Sequence, residues 1–135
     1  MEQIIGIDSV ILIYLLERNQ QYLSSAKSVL EAVESGKLPA VMASIGMIEI
    51  LTGPKKQGRF DLARYYREYL ASFPNLTIKN MNESVVELAS DLCACYNIKT
   101  ADAIHVATAI DFGAEKFITN DKELKRVKEI RVELL

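Results

Sequence analysis

The chain has no tryptophan, one histidine, two cysteines and three prolines among 135 residues, and the first shortages concern metals and redox chemistry. Cys93 and Cys95 stand two apart in a helix-type run, so their side chains project in widely different directions. They are placed neither to share one metal nor to bridge each other, and they read as reduced, structural thiols of a cytoplasmic protein. Basic charge is not in excess either. Sixteen Lys and Arg face eighteen Asp and Glu, a net charge of −2 that argues against tight non-specific DNA binding but leaves local basic patches open. Long apolar runs are absent as well. The early run Val10–Leu16 is far short of the ~20 residues that span a membrane, and Asp8 interrupts the apolar stretch that an export signal would need.

What is present is an ordinary globular composition, half hydrophobic and a quarter charged, in a length suited to a single domain over residues 1–135. Short β-type runs alternate with helical ones. Strands are expected at Ile4–Ile7, Pro39–Ala43, Leu76–Lys79, Lys116–Thr119 and Arg131–Leu134. Helices are expected at Val10–Arg18, Tyr22–Ser35, Ile45–Leu51, Arg59–Ala71, Glu83–Tyr96, Ala101–Phe112 and Lys122–Val127. Val85, Leu88, Ala89, Leu92 and Tyr96 recur at helical spacing. Thr100 and Asn120 or Asp121 serve as candidate caps, and Gly36, Gly53-Pro54 and Gly113 as helix ends. Strand–helix alternation predicts a three-layer α/β/α fold with a mostly parallel sheet of about five strands.

In such sheets ligands sit beyond the carboxyl ends of the strands. Asp8 follows the first strand directly, Asp121 comes just after the fourth, Glu49 lies in the helix after the second, and Asp102 opens the helix near Thr100. Taken singly, Asp8 and Asp121 are also ordinary helix caps and Asp102 an ordinary complement to a helix dipole. Glu49 is harder to explain that way, because Met47, Ile48, Ile50 and Leu51 surround it and suggest partial burial. No Lys or Arg lies within three residues of Asp8 or Glu49. Several carboxylates converging without basic partners would repel one another, and a divalent cation removes that repulsion. Oxygen ligands favour Mg²⁺ or Mn²⁺ over Zn²⁺. His105, one turn beyond Asp102, reads either as a supporting group or as a structural histidine among Ile104, Val106 and Ala107.

The stretches "GIDSVILIYLLE", "ASIGMIEILTG", "IKTADAIHVATA" and "FITNDKEL", in this order, resemble the PIN-domain ribonucleases, especially the VapC-type toxins of toxin–antitoxin pairs. The resemblance covers nearly the whole chain. It implies that Asp8, Glu49, Asp102 and Asp121 form an acidic quartet holding Mg²⁺ or Mn²⁺, with Ser9 and Asn120 at supporting polar positions. Some relatives carry a further carboxylate where this chain has Asn120, which leaves one or two cations open. The implied activity is metal-assisted hydrolysis of RNA phosphodiester bonds. The implied partners are RNA, a small antitoxin protein and a second copy of the chain.

A basic cluster of Lys55, Lys56 and Arg59 around Gly53, Pro54 and Gly58 is the candidate RNA-backbone contact. Lys122, Lys125 and Arg126 form a second cluster that reads more simply as a solvated helix face. Tyr65, Tyr66 and Tyr69 beside Arg64 and Arg67 allow base stacking, although packing is the ordinary fate of such tyrosines. Rival readings fare worse. A receiver-like domain wants paired acids after its first strand, and an Asp-x-Asp phosphatase wants a second acid two residues on; here Ser9-Val10 follows Asp8. A catalytically silent PIN scaffold and a housekeeping RNA-processing nuclease are the remaining alternatives.

Overall fold

The structure is a computed structural model that describes residues 3–135. Its elements run β1 (Ile5–Ile7), α1 (Ser9–Leu16), α2 (Leu23–Glu34), β2 (Ala40–Ala43), α3 (Ile45–Lys56) and α4 (Phe60–Ala71). They continue with β3 (Leu76–Lys79), α5 (Glu83–Tyr96), α6 (Thr100–Phe112), β4 (Lys116–Thr119), a short 3-10 helix (Lys122–Arg126) and β5 (Arg131–Leu134). The five strands form one sheet in the order β3-β2-β1-β4-β5, and every pairing is parallel. This is the predicted α/β layout, with three of the five strands at the predicted bounds.

The pleat sorts the strand residues into two cores. Ile5, Ile7, Met42 and Ile118 face a cluster completed by Ile11, Leu12, Leu30, Ile50 and Leu70 from α1 to α4. Phe117 and Val132 face the other, with Val85, Leu92, Val106 and Leu124 from α5, α6 and the 3-10 helix. Gly6, between Ile5 and Ile7, points to the α6 side. A Cβ there would collide with Cβ of Ala109, so the absent side chain lets α6 approach the central strand closely. With helices on both faces, the inner strands read as continuous apolar runs, and β1 and β2 are buried at every position.

Two local expectations fail. Gly53-Pro54 does not end α3, which continues to Lys56. Pro54 removes one helical N–H, but it is buried, lines a small cavity with Leu62 and Tyr66 of α4, and its carbonyl accepts from Gln57 and Arg59 N–H as the chain turns. Packing against α4 outweighs the single lost hydrogen bond. Consequently Lys55 and Lys56 occupy the last turn of a helix instead of a loop. Thr100 is likewise not a cap: Lys99 holds the cap position of α6 and Thr100 is its first residue. Asp121, not Asn120, caps the next element, its side chain accepting from Glu123 N–H, and that element is a 3-10 helix. Asn82, not anticipated, caps α5 by accepting from Val85 N–H.

Among the described residues no helix is long and apolar enough to cross a membrane. Cys93 and Cys95 are free, the first half-buried and the second exposed. Tyr66 is buried, which removes it from base stacking, whereas Tyr65 is exposed.

Candidate active site

From β1 the chain passes to β2 and β3 on one side, then returns to place β4 on the other side of β1. The order of the strands therefore reverses between β1 and β4, where α/β sheets open a crevice at the carboxyl edge. Asp8 lies at that point. Its N–H donates to the Ile118 carbonyl at 3.0 Å, and its Oδ2 accepts from Thr119 Oγ1 at 2.8 Å. The Asp8 side chain makes no helix-capping hydrogen bond although Asp8 stands at the cap position of α1. The ordinary explanation for this aspartate thus fails on geometry.

Glu49 reaches the same place from α3. Ser9 Oγ donates to its Oε1 at 2.8 Å and lies 3.4 Å from Asp8 Oδ1, and His105 Nε2 sits 2.6 Å from the same Oε1. Glu49 is only partly buried, with 41% of its side chain exposed, whereas the His105 side chain is 1% exposed. The hydrogen bond from His105 is the main reason that the Glu49 carboxyl is held below the ordinary glutamate value; burial opposes it and the Ser9 bond assists. An ionised carboxylate only accepts, so the imidazole proton sits on Nε2. Nδ1 of His105 is buried without a partner. One atom each of Asp8, Glu49 and His105 fall within 4.8 Å of one another, a spacing suited to one cation. Because the Nε2 proton is aimed at Glu49, His105 orients the carboxylate instead of competing with it for a cation.

Asp102 and Asp121 form the other half. Asp102, in the first turn of α6, has its carboxyl raised above the ordinary aspartate value, first by burial and then by the negative charges of Asp8 and Asp121; His105 and Lys99 offset this only partly. No Lys or Arg forms an ion pair with Asp8, Asp102 or Asp121 among the described residues. Asp121 spends Oδ1 on its cap bond to Glu123 N–H at 2.9 Å and donates its own N–H to Thr119 Oγ1 at 3.1 Å. Asp102 and Asp121 line a cavity of about 320 Å³ that opens beside the acids.

This arrangement passes a simple test for a divalent cation. Asp8 and Asp121 each have one oxygen fixed by a hydrogen bond and the other left for a ligand, and Glu49 Oε2 takes part in none of these bonds. Burial and the charges of Asp8 and Asp121 act on Asp102, which has no basic ion-pair partner among the described residues. Hard oxygen donors of this kind suit Mg²⁺ or Mn²⁺. The molecule's larger concavity, an apolar groove of about 620 Å³ lined by Met81, Val86, Cys93 and Ile104, contains no acid or base and lies away from this chemistry.

The remaining candidates separate. Asn120 Nδ2 donates to the Tyr14 hydroxyl at 3.0 Å, and Tyr14 stacks on Tyr22 with ring centroids 4.7 Å apart. Lys55 and Lys56 lie about 10 Å along α3 from Glu49 by helical rise, and Arg59 pairs with Asp61 at 3.5 Å. Of the second basic cluster, Lys125 donates to the Val132 carbonyl, whereas Arg126 lines the cavity beside Asp102. Thr119 went unrecognised in the sequence. It is fully buried and bonds both Asp8 and Asp121. Its signal was present in "FITND": a hydroxyl at the last position of a buried strand, next to an acid.

A three-layer α/β domain with a carboxylate pocket at the switch point of a parallel sheet is the class that fold and site define. The chain belongs to the PIN domain family, whose model matches residues 5–130. Its fold is similar to a chain of a toxin–antitoxin complex from Klebsiella pneumoniae, with 25% identity over 96% of this chain and 95% of that one and a TM-score of 0.71. It is also similar to a chain of VapBC2 from Rickettsia felis bound to a DNA fragment from its promoter (19% identity, 98% of each chain, TM-score 0.79). A third similar structure is VapC20 of Mycobacterium tuberculosis, a toxin that cleaves the sarcin–ricin loop (15% identity, 96% of this chain and 99% of that one, TM-score 0.72). Among curated proteins, no sequence matches.

Proposed function

We propose that the chain is a divalent-cation-dependent endoribonuclease and the toxin of a VapBC-type pair, with Asp8, Glu49, Asp102 and Asp121 as its catalytic, metal-holding acids. Membership of the PIN family and the toxin–antitoxin structures of like fold support this reading. The observation that carries it is that Asp8 shares one cation's reach with Glu49, while its charge and that of Asp121 act on Asp102, which has no basic ion-pair partner among the described residues. A structural cluster of carboxylates would be expected to carry nearby Lys or Arg partners; among the described residues none forms an ion pair with Asp8, Asp102 or Asp121.

Asp8, Glu49, Asp102 and Asp121 would hold Mg²⁺ or Mn²⁺, which would supply Lewis-acid chemistry for phosphodiester hydrolysis. The residues of the chain do the positioning. Thr119 fixes one oxygen of Asp8, Ser9 and His105 fix one oxygen of Glu49, and the turn at Glu123 fixes one of Asp121. Each bond costs little to hold, because Ser9, Thr119 and His105 are themselves buried and already immobile. Asn120 supports the pocket through Tyr14. Lys55, Lys56 and Arg59 meet the RNA backbone farther from the acids, as diffuse positive charge.

The partners follow from the same reading: RNA as substrate, a small antitoxin protein, and a second copy of the chain in a homodimer acting in the cytoplasm. The test is incubation of the purified protein with a mixed cellular RNA pool in Mg²⁺, Mn²⁺ or EDTA, beside a folded Asp8→Asn variant. Discrete cleavage that needs the cation and disappears in the variant is the expected result. Cation binding through Asp8 with no cleavage of any RNA would favour a silent scaffold instead. Growth arrest on expression, relieved by the product of a neighbouring gene, separates a toxin from a housekeeping nuclease.

A further inference from the structure

The cavity beside Asp102 and Asp121 is more than a margin of the acid cluster. Its lining carries charge of both signs, Asp102, Asp121 and Glu123 with Lys99 and Arg126, and includes Asn97. At about 320 Å³ it falls at the lower end of the range for small-ligand sites, which suits one nucleotide. Its two cations come from different elements. Lys99 stands at the amino end of α6, which no side chain caps. Arg126 comes from the 3-10 helix, where its Nε is bound to the Glu123 carbonyl at 3.2 Å and lies 3.4 Å from the Glu123 carboxylate. That leaves the terminal guanidinium nitrogens for a ligand, held by a stem that Glu123 orients. An arginine so prepared matches two oxygens of a phosphate.

A polyanion approaching uncompensated carboxylates needs positive charge at close range. Lys99 and Arg126 are the basic residues that share a cavity with Asp102 and Asp121, whereas Lys55 and Lys56 are about two helical turns from Glu49. We propose that this cavity receives the nucleotide next to the scissile bond of single-stranded RNA, with Lys99 and Arg126 holding its phosphate. This assignment rests on the nuclease reading above. Lys99 and Arg126 are then positioning residues: they set where the chain lies and leave the reacting atoms to the acids.

The test uses a fluorescein-labelled, mixed-sequence single-stranded RNA and the Asp8→Asn protein in EDTA, so that binding is read without cleavage. Anisotropy is measured across a salt series for this protein and for versions that also carry Lys99→Ala, Arg126→Ala or Lys122→Ala. Lys122 lies on the same 3-10 helix, carries the same charge and does not line the cavity. Lys99→Ala and Arg126→Ala should each lower the slope of log affinity against log salt by about 0.7, the value for one phosphate contact on a single strand, and Lys122→Ala should leave it unchanged. In the cleaving protein, Lys99→Ala and Arg126→Ala should raise KM and leave kcat unchanged. Equal slopes for all three variants, or no RNA binding at low salt, would overturn the assignment. Cleavage absent from the wild-type protein under every cation, with the slopes as expected, would remove the nuclease reading and leave an RNA-binding cavity.

Discussion

The two halves of the acid site are held in opposite ways. Asp8 and Glu49 are wrapped in hydrogen bonds from Thr119, Ser9 and His105, and the carboxyl of Glu49 is held down as a result. Asp102 has no such support: burial and the charges of Asp8 and Asp121 push its carboxyl up. One half is preorganised by donors, the other destabilised by like charge. On the proposed function a bound cation would offset the second, while the first keeps the geometry ready for it.

The most severe way to break this pattern is Asp8→Asn. It keeps the shape and the Thr119 contact but removes a central charge, and the initial rate of RNA cleavage in Mn²⁺ should fall by about 10³-fold. Next comes His105→Leu, which removes the donor to Glu49 together with the orphaned Nδ1. Cleavage should fall by about 10- to 100-fold. With its main support gone, the Glu49 carboxyl rises toward the ordinary value, so the acid limb of the pH–rate profile should move to higher pH. An unmoved limb would show that His105 does not govern Glu49.

Thr119→Val removes the hydroxyl that ties Asp8 to Asp121 in nearly the same volume. A loss of about 10-fold in cleavage is expected, the low end of what supporting donors contribute. The smallest effects are on stability without metal, and they should carry opposite signs. Glu49, with a lowered folded value, stabilises the fold above the ordinary glutamate pKa and loses that contribution as pH falls through the folded one. Asp102, with a raised value, costs stability that is absent below the ordinary aspartate pKa and grows as pH rises through the folded one. At neutral pH in EDTA, Glu49→Gln should lower Tm and Asp102→Asn should raise it. Each shift should be about 1–3 °C, since both side chains are partly solvated. Saturating Mn²⁺ should cancel the gain from Asp102→Asn, and calorimetry with and without the cation reads both signs.

Much of this was legible before any coordinates. The alternation of short apolar runs with helical periodicity marked every element, because both patterns are local consequences of which face is buried. Asp8 and Asp121 stood out because each follows a strand, Asp102 because it lies in the first turn of a helix, and Glu49 because apolar residues surround it. What failed was local in another sense. Gly53-Pro54 reads as a stop signal by propensity alone, yet α3 continues through it because Pro54 packs against α4.

By itself the sequence determined the order of strands and helices and the place of each of the four acids relative to them, since those depend on residues a few places apart. Only the tertiary structure decided which of these groups touch. Ser9 and Glu49 are 40 residues apart, Glu49 and His105 are 56 apart, and Thr119 and Asp8 are 111 apart. The first joins α1 to α3, the second needs α6 to settle against Gly6 of the central strand, and the third needs β4 on the far side of β1. A hydrogen bond needs its atoms within about 3 Å, and only the packed sheet and helices, not the spacing of residues along the chain, bring them that close.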